Sequence, residues 1–157
     1  MIVIKEIKKR DFDLCFELDS KTISIWSKEQ WNNEFEKEGV RVFGLSLSDF
    51  LIAVCVFQIV IDEAQINYFA VDYNFQGEGY GTTLMRYLIK ECKRLEIKKL
   101  LLEVSETNIA AGSFYKKFDF LTVGIRKKYY KDGANAFLKE KDLKIIEENY
   151  CADNQNA

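Results

Sequence analysis

The sequence predicts a single α/β (α+β) domain, and three observations carry that prediction. The 157 residues suffice for one substantial core, and 48% hydrophobic with 31% charged residues is the balance of an ordinary globular chain. Strand-like alternation and helix-like periodicity follow one another along the chain without a linker, internal repeat or low-complexity tract. A glycine-rich run, Gln76-Gly77-Glu78-Gly79-Tyr80-Gly81-Thr82, stands where a strand-like segment gives way to a long amphipathic helix.

Each element has a local reason. Ile2 to Ile7 alternates as a strand, and Arg10-Asp11 opens a helical stretch through Leu14, Phe16 and Leu18. Ser27 caps a second helix that carries Trp31 and Phe35 at i, i+4 spacing. Val40 to Leu47 and Phe50 to Ile61 are rich in β-branched and aromatic residues, and the short Ser48-Asp49 turn makes them a hairpin. Gln65 to Val71 is the strand that leads into the glycine run. From Gly79 to Glu96 the residues Leu84, Leu88, Cys92 and Leu95 form the stripe of a helix packed on a sheet. Lys98 to Ser105, with Leu100-Leu101-Leu102 and Val104, reads as a central strand. Asn108 caps a helix from Ile109 to Phe118, with Phe114 and Phe118 on one face. Two last strands, Phe120 to Tyr129 and Ala134 to Leu143, turn at Lys131-Asp132-Gly133. The domain is assigned to residues 1–146, and the polar stretch 147–157 is expected to fray.

Composition removes several function classes. Twenty-three basic residues against 25 acidic ones, a net charge of −2, lack the basic surplus that nucleic acid demands; a small basic patch on a protein partner suits this chain better. The longest apolar run, Leu51 to Ile61, is interrupted by Gln58 and is too short to span a bilayer, so no membrane role is expected. Met1 to Glu6 has no signal-peptide character, which places the expectation in the cytoplasm. Cys15, Cys55, Cys92 and Cys151 form no C-x-x-C pair and the chain has no histidine, so no metal is expected and no histidine base is available. Proton transfer must then use carboxylate, tyrosine, lysine, cysteine, a terminus or water.

The glycine run reads as an anion cradle. Glycines permit close backbone approach, and the unpaired amides of a helix N-terminus, reinforced by the helix dipole, favour a pyrophosphate. A triphosphate loop would need Gly-Lys-Ser/Thr, and no lysine lies between Gly77 and Thr83; a G-x-G-x-x-G register is broken at Thr82. Gln76-x-x-Gly79-x-Gly81 remains. Together with Asp62-Glu63-Ala64, Phe69-Ala70-Val71-Asp72, Leu102-Glu103-Val104, Asn108-x-x-Ala111-x-x-x-Tyr115 and Arg126-x-x-Tyr129-Tyr130, it resembles the GCN5-related N-acetyltransferase (GNAT) family, in particular its RimI branch of ribosomal-protein alanine N-acetyltransferases. The likeness runs through residues 1 to 143 and is tightest from Ile59 to Tyr130.

That resemblance implies a mixed, mostly antiparallel central sheet of about seven strands flanked by about four helices. It implies acetyl-coenzyme A as co-substrate. The pyrophosphate would lie on the loop Gln76, Gly77, Glu78, Gly79, Tyr80, Gly81 and Thr82, and the pantetheine arm along Phe69, Ala70, Val71 and Asn108, within reach of Tyr115. By the same resemblance Glu103 is the general base, directly or through water, Tyr115 the general acid, and Trp26, Tyr129 and Tyr130 line the acceptor groove. The residue types suit these roles. Glu103 interrupts an apolar strand, where a carboxylate losing hydration gains proton affinity; the competing reading is an ion-paired glutamate or one at a sheet edge. Tyr115 lies about two helical turns beyond Asn108 and can give a proton to a leaving thiolate, or can simply pack in the core.

Departures from the family pattern bear on the acceptor. The Phe-Pro-Trp stretch appears as Ser24-Ile25-Trp26, Asp119 stands where glycine is usual, and Ala134-Asn135-Ala136 replaces an acidic pair. The first expectation for the acceptor is a protein N-terminus, such as that of a ribosomal protein. A small amine is the second, and an acyl-coenzyme A binding module without turnover the third. The chain is expected to act as a monomer or weak dimer.

Overall fold

The computed structural model describes residues 1–143. The expected tail 147–157 and the end of the 1–146 assignment therefore lie outside the described residues. Strands β1 (Ile2–Glu6), β2 (Val40–Leu47), β3 (Phe50–Val60), β4 (Glu63–Val71), β5 (Lys99–Ser105), β6 (Leu121–Arg126) and β7 (Ala136–Asp142) form one seven-stranded sheet in the order β1-β2-β3-β4-β5-β7-β6. Every neighbouring pair is antiparallel except β4 and β5. Helices α1 (Phe12–Ser20), α2 (Lys28–Glu34), α3 (Tyr80–Arg94) and α4 (Ile109–Lys117) complete the expected architecture.

Local chemistry explains the boundaries. Ser48 and Asp49 both take positive φ, 49° and 68°, the two-residue hairpin turn whose twist matches the strands it joins. Ser27 and Gln30 form a reciprocal capping box at the start of α2. Asp119, at φ 64°, takes the left-handed position where the family usually has glycine.

The helical stretch expected from Arg10-Asp11 opens as a 3-10 turn, Lys9–Asp11, that runs directly into α1 at Phe12. One expectation is corrected. The penultimate strand stops at Arg126, because Lys128 turns to φ 51° and its amide donates to Asn135 Oδ1 at 2.9 Å; Tyr129 and Tyr130 thus sit on a loop.

The sheet separates two cores. On one face α3 buries Leu84, Met85, Leu88 and Cys92 against Phe43, Leu45, Phe57, Leu100 and Leu102. On the other, Cys15 and Leu18 of α1 and Trp31 of α2 meet Val42, Val54, Val56 and Tyr68. Cys15, Cys55 and Cys92 are buried free thiols.

Two irregularities in β4 open the sheet. The β3–β4 register passes from Val56↔Tyr68 to Phe57↔Ile66, so Asn67 is the extra residue of a β-bulge. The bulge reverses the side-chain alternation: Ala64 and Ile66 join the α3 core, whereas Tyr68 and Ala70 beyond it join the α1–α2 core. The parallel β4–β5 ladder then ends at Ile66↔Leu102, while β5 continues to pair with β7 as far as Ser105↔Ala136. Past that point β4 and β5 diverge like the arms of a fork.

Candidate active site

The glycine run follows the open arm of β4. A 3-10 turn, Tyr73–Phe75, leads into it, and Gln76 Nε2 donates to the Val71 carbonyl at 3.0 Å, tying the loop to the strand end. Gly77 and Gly79 stand at φ 77° and 88°, and a Cβ on either would meet nothing within 4 Å. Their freedom serves the backbone turn and leaves open space above it. Gly81 differs: a Cβ there would stand in ordinary contact with Val71 Cγ2 at 3.4 Å and Phe114 Cε2 at 3.6 Å, so its Cα faces the packed interior. The N-cap of α3 is Gly79, with no side-chain cap, and the first bond back to it is Thr83 N–H to Gly79 O at 3.0 Å. The amides of Tyr80, Gly81 and Thr82 therefore face outward at the positive end of a 15-residue helix, as a diphosphate requires.

Phe69 and Val71 turn toward the same core as α4, and the Phe69 and Phe114 rings meet at 5.4 Å. Asn108 caps α4, its Oδ1 accepting from the Ala111 amide at 3.1 Å, while its Nδ2 makes no hydrogen bond within the described residues. Tyr115 is 9% exposed and packs between Phe114 and Phe120 at 5.4 and 5.6 Å. Burial, with the Cys55 thiol adding to it, pushes its phenol well above the usual tyrosine range, so it holds its proton firmly.

Glu103 points the other way. Its neighbours Leu102 and Val104 belong to the core that holds Tyr115, so alternation sends Glu103 to the opposite sheet face. There it lines a cleft of about 810 Å³ together with Trp26, Glu34, Asn67, Tyr129 and Tyr130. Its side chain is 21% exposed, and Oε1 lies 3.3 Å from Nε of Arg126 on β6, so the glutamate is also ion-paired. The same guanidinium stacks over the Tyr129 ring at 5.6 Å, and Tyr129 meets Tyr130 edge-on at 5.1 Å. Burial first, then the charge of Glu103, raises the Tyr130 phenol above its ordinary value.

The sequence reading thus falls into two groups. Glu103, Trp26, Tyr129 and Tyr130 converge on the cleft; Phe69, Val71, Gly81 and Tyr115 converge on the far side of the fork, and Asn108 caps the helix that carries Tyr115. Two carboxylates were missed. Asp19 is fully buried and accepts four hydrogen bonds: from the amides of Ile25 (3.3 Å) and Trp26 (3.0 Å), from Trp31 Nε1 (3.0 Å) and from the Tyr68 hydroxyl (3.0 Å). It fixes the α1–α2 loop and stacks Trp26 against Trp31 at 4.8 Å. Its signal was an acid four residues after Cys15 on an apolar helical face. Glu34, three residues after Trp31, carries the same signal and is 4% exposed. Among the described residues no cluster of three His, Cys, Asp or Glu side chains is placed to hold a metal ion, and no helix is long and apolar enough to cross a membrane.

The profile of the Acetyltransferase (GNAT) family matches residues 4–120. The [ribosomal protein bS18]-alanine N-acetyltransferase of Haemophilus ducreyi is 33% identical over 131 residues, covering 82% of this chain and 88% of that one. Its counterpart in Haemophilus influenzae is 33% identical over 133 residues, covering 83% and 88%. The crystal structure of the ribosomal-protein-S18-alanine N-acetyltransferase from Escherichia coli superimposes with a TM-score of 0.85 at 27% identity, over 91% of this chain and 94% of that one. A glycine cradle at an uncapped helix, a forked sheet beside it and a profile match over most of the chain lead to one conclusion: the chain belongs to the GNAT family of acetyltransferases.

Proposed function

We propose that this protein transfers the acetyl group of acetyl-coenzyme A directly to the N-terminal α-amine of a protein, a ribosomal protein being the acceptor its relatives favour. The observation that carries the reading is the placement of Glu103 and Tyr115 on opposite faces of the sheet beside the point where the β4–β5 ladder ends. A thioester held in the fork has an acceptor cleft on one side and a buried proton donor on the other. Loop amides from Gln76 to Thr82 bind the diphosphate. Main-chain groups of Phe69, Ala70 and Val71, free of β5, pair with the pantetheine amides by strand addition, and the Asn108 amide adds a donor.

An α-ammonium must lose a proton before it can attack, and with a reference pKa of about 8 it does so more readily than lysine at about 10.4. Glu103 takes that proton, directly or through water, as nitrogen bonds to the thioester carbonyl. Collapse of the tetrahedral intermediate breaks the carbon–sulfur bond, the departing thiolate takes the Tyr115 proton, and the acylated nitrogen gives up its second proton through water, which returns Tyr115 to its protonated form. Trp26, Tyr129 and Tyr130 hold the acceptor's first residues over this point. Such an acceptor is met in the cytoplasm.

Peptides beginning with Ala or Ser, screened beside amino acids, polyamines and amino sugars, test the reading. One acetyl group added to the peptide N-terminus, with turnover falling at least about tenfold in both Glu103→Gln and Tyr115→Phe while coenzyme A binding persists, is the expected result. Turnover of small amines alone would overturn the choice of acceptor. Coenzyme A binding without any turnover would overturn the enzyme reading.

A further inference from the structure

We propose that Glu34 is an ammonium-binding carboxylate of the acceptor cleft, holding the incoming cationic amine beside Glu103 until its proton is taken. The inference rests on the acetyl-transfer reading above and adds to it a residue that recognises charge.

Three observations support it. Glu34 is the last residue of α2 and is only 4% exposed, so its carboxylate meets the negative end of the helix dipole while losing most of its hydration. The last turn of α2 has no basic residue to offset this. Stability alone would favour an apolar side chain there, beside buried Trp31. The second observation is the direction it faces. Glu34 lines the same cleft as Glu103, and Asn67 Nδ2 donates to its Oε1 at 3.4 Å. Asn67 is the bulged residue of β4 and cannot itself act as an anion. A helix therefore places, against Asn67, a negative charge beside the bulge of β4, in the cleft that the carboxylate of β5 also lines.

The third observation is the resident cation. Lys37 Nζ lies 2.6 Å from Glu34 Oε2, yet its own side chain is 54% exposed at the cleft rim. An ammonium on a flexible stem, already half in water, can yield its place to another ammonium at small cost. Lys37 marks the charge and size of the group Glu34 accepts, and it competes with that group.

The test uses the full-length protein saturated with coenzyme A, an Ala-initiated hexapeptide, and the same peptide N-acetylated. Binding is read by calorimetry and folding by thermal melting. Glu34→Gln, which keeps the shape and removes the charge, is expected to weaken the free-amine peptide at least about tenfold while the acetylated peptide is unchanged. Lys37→Met is expected to act with the opposite sign, tightening the free-amine peptide about threefold or more, a gain that a merely structural pair would not produce. Equal effects on both peptides, or no tightening in Lys37→Met, would overturn the proposal. Should the unaltered protein turn over no peptide, the choice of acceptor falls instead, and the same comparison is read with spermidine and its N-acetylated form.

Discussion

Arg126 Nε lies 3.3 Å from Glu103 Oε1, joining an edge strand to a central one across β7 and stacking the same guanidinium over Tyr129. The candidate base is therefore oriented by a residue that also contacts the Tyr129–Tyr130 loop proposed to hold the acceptor. Replacing Arg126 with Met is expected to lower kcat/KM about fivefold or more. In the Glu103→Gln background the same change should add almost nothing, because two groups acting as one unit are not additive. Independent, multiplying losses in steady-state kinetics would separate them.

Gly79 offers a cleaner probe of the cradle than Gly81. A Cβ added at Gly79 meets no atom of the protein, so the cost to the fold is only that of a left-handed alanine, about 1–2 kcal/mol. That corresponds to a melting shift of a few degrees in a chain of this size, about 2–4 °C per kcal/mol. Coenzyme A affinity should fall by much more, at least about tenfold, because the methyl stands in the space above the loop. Calorimetry and thermal melting of Gly79→Ala read the two effects separately, and an unchanged affinity would place the diphosphate elsewhere.

Burial raises the Tyr115 phenol, and the sign of this shift matters for catalysis. A raised phenol stays protonated as pH climbs, so the proposed donor remains loaded throughout the range in which the acceptor loses its proton. The rate is expected to rise from about pH 6 with deprotonation of the α-amine, to reach half its maximum near pH 8 and to level off by about pH 9. An alkaline fall below that point, abolished in Tyr115→Phe, would contradict the assignment.

Asp19 anchors the loop that carries Trp26. Asp19→Ala removes the acceptor of four donors, two of them buried, and is expected to cost about 3 kcal/mol or more of stability. Tyr68→Phe removes a single donor and should cost about 1 kcal/mol. The chain's two tryptophans both lie in this cluster, so emission spectra report its packing directly. Acceptor binding is expected to change that emission in the intact protein and to lose affinity in Tyr68→Phe, with coenzyme A binding kept.

Much of this fold was legible in the sequence because period and turn chemistry agreed. The stripe Leu84, Leu88, Cys92 buried as expected, Ser27 and Asn108 cap their helices, and Ser48-Asp49 turns the hairpin. Long-range relations were not legible. No local pattern marks Asn67 as a bulge, since the bulge exists only relative to β3, and none pairs Glu103 with Arg126, which lie 23 positions apart and meet through β7. Asp19 and Glu34 were hidden differently. Their spacing from Cys15 and Trp31 puts them on buried faces, but the donors that hold them, Tyr68 and Asn67 among them, come from β4.

The divergence of β4 from β5 after Ile66↔Leu102 has a kinetic consequence. Until the fork is filled, the cleft beside Glu103 has no electrophile on its far side, so an amine arriving first finds a seat but nothing to react with. The proposed enzyme should therefore turn over only from a ternary complex, and double-reciprocal initial-rate lines should intersect rather than run parallel.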